Sequence, residues 1–115
     1  MTFIITKTLE EHTLEAMEQV NKLAGDKILE KYPLYKQTNL QTSWLQLVYA
    51  DTQPGTLPLT NQNSPEGLSI QQDWAWIKTI RDLSNTTIAG ILIVPDIPTL
   101  YNLMKTYKDT LSTFN

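Results

Sequence analysis

The stretch Asn21-Lys22-Leu23-Ala24-Gly25-Asp26-Lys27-Ile28-Leu29-Glu30-Lys31-Tyr32-Pro33-Leu34-Tyr35-Lys36-Gln37-Thr38-Asn39 decides how this chain folds. It reads as the end of one amphipathic helix, a proline-marked corner, and the polar start of another. Pro33 forces Tyr32 out of the α region, so the first helix ends near that point. Tyr32 can cover the helix end, and Lys36 can meet its carbonyl terminus. Gln37 and Asn39 can satisfy backbone groups orphaned where the two helices meet.

Upstream, Thr8-Leu9-Glu10-Glu11 sets a hydroxyl N-cap ahead of a glutamate, the capping-box pattern. Leu9, Thr13, Ala16, Met17, Val20, Leu23, Ala24 and Ile28 follow at helical spacing and make one apolar face. Phe3, Ile4 and Ile5 are β-prone and predict a short strand or extended arm that must pair with something. Downstream, Leu40, Trp44, Leu47 and Val48 form the stripe of a second helix, from about Leu34 to Ala50.

Residues 51–67 break all periodicity. Their Pro, Gly, Asn and Asp content predicts a loop that is either flexible or an interaction element. Ser69 can cap a third helix through Asp73-Trp74-Ala75-Trp76-Ile77-Lys78-Thr79-Ile80-Arg81. On a helical wheel Trp76 points roughly 160° from Trp74, so one of the two is hard to bury in a single small core. Residues 86–94 read either as strand, from Ile91-Leu92-Ile93-Val94, or as continuing helix through Ala89-Gly90. Asp96 and Pro98 suit a last helix start, and Leu100, Leu103, Met104, Tyr107 and Leu111 supply its stripe.

The expected fold is mostly α: a small helical domain of three to four helices with a short N-terminal strand or extended arm. Its parts would be an arm over 1–7, a helical hairpin over 8–50, a loop over 51–67 and a helical C-terminal half over 68–115. A chain of 115 residues is one domain by length and can bury a core.

Composition bounds the chemistry. Net charge is −3, and Arg81 is the only arginine, so clustered phosphate contacts are not expected and nucleic acid is not an expected partner. Cysteine is absent, which removes disulfides, thiolate chemistry and thiolate zinc sites. The longest apolar run is too short to cross a bilayer, and the N-terminus lacks the pattern of a signal peptide, so membrane insertion is not expected. His12 is the only histidine, with no second imidazole or thiol to join it as a metal ligand or base. It reads as a solvated helix residue, and the scattered carboxylates read as a wet face. No catalytic residue, metal site or cofactor is expected.

The aromatic set offers more. Tyr32, Tyr35, Trp44, Tyr49, Trp74, Trp76, Tyr101 and Tyr107 are many amphipathic rings for this length. They read as core filling, for Trp44 and one of Trp74 or Trp76, or as interface anchors, or as a stacking platform for sugars. The candidate partner-binding residues are Phe3, Ile5, Tyr35, Trp74, Trp76, Tyr101 and Tyr107.

The pattern Asn21-x-x-Ala24-x-x-Lys27-Ile28-x-x-x-Tyr32-Pro33-x-Tyr35-Lys36-Gln37-x-Asn39 resembles a short helical module of tailed-bacteriophage tail proteins, found in tail-fibre and baseplate-associated chains. In that module a Tyr-Pro-x-aromatic-basic-Gln-x-Asn corner precedes a second block. Trp74-Ala75-Trp76-Ile77-Lys78-Thr79-Ile80-Arg81-Asp82-Leu83-Ser84-Asn85 matches that block in the same order. The resemblance covers residues 20–49 and 72–89; Tyr35 stands where Trp is common, and Gly90 to Asn115 extends beyond it.

No catalytic residue comes with the resemblance. It implies a structural protein of a phage tail, made in the host cytoplasm and located in the virion tail. Its partners would be tail-fibre or baseplate proteins, with homo-oligomerisation, trimeric in a fibre, as a further expectation. The alternatives are a tail-fibre assembly chaperone and a carbohydrate-binding or hydrolytic tail-tip module.

Overall fold

The computed structural model describes residues 7–115. Four helices account for 77% of the structure, with no strand among the described residues. They are α1 (Leu9–Lys31), α2 (Leu34–Asp51), α3 (Pro65–Ile91) and α4 (Ile97–Ser112). The expected strand or arm, with Phe3 and Ile5, lies outside the described residues apart from Lys7. The chain divides into two compact units: residues up to Lys27 with Ile80–Asn115, and Ile28–Thr79.

The first unit takes α1 up to Lys27, α3 from Ile80, and α4. Ala16, Val20 and Ala24 recur every fourth residue on α1 and are all buried. On α3 the buried positions are Ile80, Ser84, Thr87 and Ile91, and on α4 they are Leu100, Met104, Tyr107 and Leu111. Both sets alternate four and three residues, the seam spacing of helices that pack nearly parallel or antiparallel. The two alanines on α1 let neighbouring backbone and side chains come close. Tyr107 shows this: its phenol donates a 3.0 Å hydrogen bond to the Val20 carbonyl.

Local signals set the helix ends. The Thr8 hydroxyl accepts from the Glu11 amide at 3.2 Å, the N-cap bond the sequence predicts. Asp96 caps α4, accepting from the Thr99 amide at 2.8 Å. The Thr99 side chain, and then its amide, hold the Asp96 carboxyl below its usual value. The open choice over 86–94 falls to helix as far as Ile91, followed by a turn in which Leu92 and Ile93 are exposed. Strand-prone side chains are overridden here because Thr87 and Ile91 continue the stripe begun at Ile80. The Thr87 hydroxyl is satisfied locally, donating to the Leu83 carbonyl at 2.8 Å. Pro95 then prevents further helix.

The second unit takes the last residues of α1, the corner, α2, the loop and α3 as far as Thr79. Only Ile28, Tyr32 and Ile70 are its buried large apolar residues among the described positions. Pro33 starts α2 as foreseen, its carbonyl accepting from the Lys36 and Gln37 amides. The third helix starts at Pro65, ahead of the expected Ser69. Ser64-Pro65-Glu66-Gly67, read as loop from its proline and glycine, is a helix start. The Ser64 hydroxyl accepts from the Gly67 amide at 3.2 Å, and proline suits a first helical position, where its missing N–H costs nothing.

Candidate functional site

The corner joins sequence blocks forty residues apart. Tyr32 donates a 2.7 Å hydrogen bond to Asp73 Oδ1, and its ring meets Trp76 edge-on, centroids 5.5 Å apart. Lys31 Nζ lies 4.5 Å from the Trp76 ring centroid, a cation–π contact. Gln37 Nε2 donates to the Tyr32 carbonyl at 2.7 Å, closing one of the carbonyls left open at the end of α1. Burial, then the hydrogen bond and charge of Asp73, push the Tyr32 phenol up to about 12. A phenol held neutral beside a carboxylate is a structural donor at any ordinary pH.

The second tryptophan is resolved in a parallel way. Trp74 meets Trp44 of α2 edge-on at 5.3 Å between centroids. Both Trp74 and Trp76 are half-buried, each against a different ring, so neither is discarded to solvent. This answers the difficulty of two opposed tryptophans on one helix: separate aromatic partners, Trp44 and Tyr32, receive them.

The loop is pinned. Asp51, the last residue of α2, accepts from the Asn61 amide at 2.7 Å, the Asn61 side chain at 2.9 Å and the Gln62 amide at 3.0 Å. Burial pushes its carboxyl up, but these donors outweigh that effect and hold it below the usual value. Gly67 is buried where an added Cβ would run into the Gln62 carbonyl, 2.7 Å from its carbon. Leu57 and Leu59 stand exposed on this loop.

On α2 no residue is buried among the described positions. Leu34, Tyr35, Leu45 and Tyr49 are all more than half exposed. A shallow groove of about 510 Å³ runs beside Leu34, Thr38, Gln41, Trp44, Leu45 and Trp74. In the other unit, α1 and α4 flank an open groove of about 690 Å³ with His12, Glu15, Lys22, Tyr101 and Lys105 on its walls. His12 meets the Tyr101 ring edge-on at 6.0 Å. The charges on these walls are of both signs, and among the described residues no cluster of three His, Cys, Asp or Glu could hold a metal ion.

The sequence-derived candidates therefore separate. Tyr35, Trp74 and Trp76 belong to the second unit, with Tyr35 exposed and the tryptophans half-buried. Tyr101 is exposed in the first unit. Tyr107 is corrected: it is 2% exposed, a core residue bonded to α1, and offers nothing to a partner. Its stripe position beside Leu100 and Leu111 already carried that signal. Leu34, Leu45 and Tyr49 were missed as site residues, although each falls off the Leu40–Trp44–Leu47 stripe on a helical wheel.

Comparison of the chain with protein-family models, curated proteins and solved structures finds no match. Among the described residues no helix is long and apolar enough to cross a membrane.

Proposed function

We propose that this chain is a non-enzymatic structural protein of a bacteriophage tail, associated with the fibre or baseplate and acting through protein–protein contacts. One observation carries the reading: the two sequence blocks that resemble the tail module are in contact. Tyr32 of the first block bonds Asp73 and packs on Trp76 of the second, and Trp44 meets Trp74. A pair of motifs that hold each other is a folding unit, and Tyr32, Gln37, Asp73 and Trp76 are spent on the corner. What remains outward is the apolar and aromatic row of α2, with Leu34, Tyr35, Leu45 and Tyr49, the residue types of binding anchors.

Mass spectrometry of purified virions, beside a pull-down of the tagged protein from infected lysate, tests this. The chain is expected in particles at fixed stoichiometry with fibre or baseplate proteins. Recovery of fibre protein in the pull-down with absence from particles would turn the reading into an assembly chaperone. Neither signal would defeat both.

A further inference from the structure

We propose that the segment of residues 1–6 occupies the open groove between α1 and α4 of its own chain, with Phe3 and Ile5 turned onto the groove floor. This arrangement is independent of a phage tail. Lys7, the first described residue, bonds Glu15 through its ammonium. The Glu15 bond and charge, opposed by desolvation and joined by Glu11 and Tyr101, hold that ammonium above its usual value. Glu15 and Tyr101 are walls of the groove, one on each helix. Both partners of the ion pair are half exposed, so it stabilises little. Its effect is positional: Lys7 stands at the groove rim, and residues 1–6 depart from there.

Length and direction agree. His12 meets the Tyr101 ring and the Val20 carbonyl takes the Tyr107 phenol, so α1 and α4 run in the same direction with the groove between them. One end of the groove is at His12 and Tyr101, where Lys7 stands, and the other is at Lys22 and Asp109. From His12 to Lys22 the α1 wall is about 15 Å long, at 1.5 Å per helical residue. Six extended residues reach about 20 Å, enough to run its whole length.

The chemistry of the two surfaces matches as well. Ala16, Leu100 and Met104 form an apolar floor, below a rim that includes Glu18, Gln19, Lys105 and Lys108. Residues 1–6 read Met-Thr-Phe-Ile-Ile-Thr, with three β-prone apolar residues in a row and no charged side chain. Side chains alternate along an extended segment, so Phe3 and Ile5 share one face while Thr2, Ile4 and Thr6 share the other. A lone strand needs partners for its backbone groups, and the rim carboxylate, amide and ammonium groups supply acceptors and donors. A broad apolar partner would strip water from those charges, which is costly, whereas a single narrow strand between them leaves their heads solvated. Attachment through Lys7 makes the contact intramolecular, with an effective concentration on the order of millimolar that a separate partner lacks.

A nitroxide on Thr2→Cys, in the full chain and free of native thiols, tests the path through loss of amide NMR signals. The Lys22 and Lys108 amides, at the far end of the groove, are expected to lose more intensity than the Leu9 amide at the start of α1. Adding Phe3→Ser and Ile5→Ser together should abolish that pattern, because both floor-facing side chains are removed. Adding Ile4→Ser should leave it in place, because that side chain faces away from the floor. Greatest loss at Leu9, a pattern that survives the double substitution, or one abolished equally by Ile4→Ser overturns the proposal. So does signal loss in an isotope-labelled chain without nitroxide mixed with an unlabelled nitroxide chain, which would put the segment on a neighbouring copy.

Discussion

Tyr32 ties the last turn of α1 to α3 in the second unit. It is buried, donates to Asp73 and packs on Trp76. Tyr32→Phe is expected to cost about 1.5–3 kcal/mol at neutral pH, the range for a bond to a charged acceptor. The phenol is raised to about 12, from an ordinary value near about 10. A raised pKa means the contribution is whole below the ordinary value and lost as pH rises through the raised one. The gap in urea stability between wild type and Tyr32→Phe should therefore narrow between roughly pH 10 and pH 12. A gap that stays constant over that interval would separate the stability of the corner from the Tyr32 proton. Gly67 is held to glycine by a close approach of backbone. Gly67→Ala drives a methyl into the Gln62 carbonyl and should destabilise by about 1–3 kcal/mol, read as a lowered denaturation midpoint.

At the scale of elements, α1 and the loop respond in opposite senses. Gly25 lies within α1, and a Cβ there would meet nothing within 4 Å. Gly25→Ala should stabilise by about 0.5–1 kcal/mol through helix propensity alone, seen as a raised thermal midpoint. The loop after α2 hangs on Asp51, whose donors hold its carboxyl below the usual value. A depressed pKa means its contribution is complete above the ordinary aspartate value and lost as pH falls through the depressed one. Limited proteolysis within residues 52–64 should stay slow at neutral pH, and quicken either in acid below the aspartate range or in Asp51→Ala. Equal cleavage of wild type and variant at neutral pH would show that Asp51 does not pin the loop. The boundaries of α1 and α4 were legible because Thr8 and Asp96 announce them with capping side chains. The start of α3 was not: Ser64-Pro65 is turn chemistry and helix-start chemistry at once, and only the Gly67 amide reaching the Ser64 hydroxyl decides between them.

For the molecule as a whole, burial is uneven. Leu100, Met104, Tyr107 and Leu111 of α4's stripe are buried, whereas α2 has no buried residue among the described positions. Hydrogen exchange at low protein concentration should therefore release α2 amides well before those beneath Leu100, Met104, Tyr107 and Leu111. The mostly helical class, the corner at Pro33 and the stripe of α4 were determined by the sequence itself, because periodicity, caps and proline act within a few residues. The sequence also held both tryptophans, the row of α2 and the run over 86–94, but left their roles open. Only the tertiary structure decided that Trp74 goes to Trp44, Trp76 to Tyr32, and 86–91 to helix. Those outcomes depend on which distant residue supplies a ring, a carbonyl or a covering side chain, and local spacing carries no record of that.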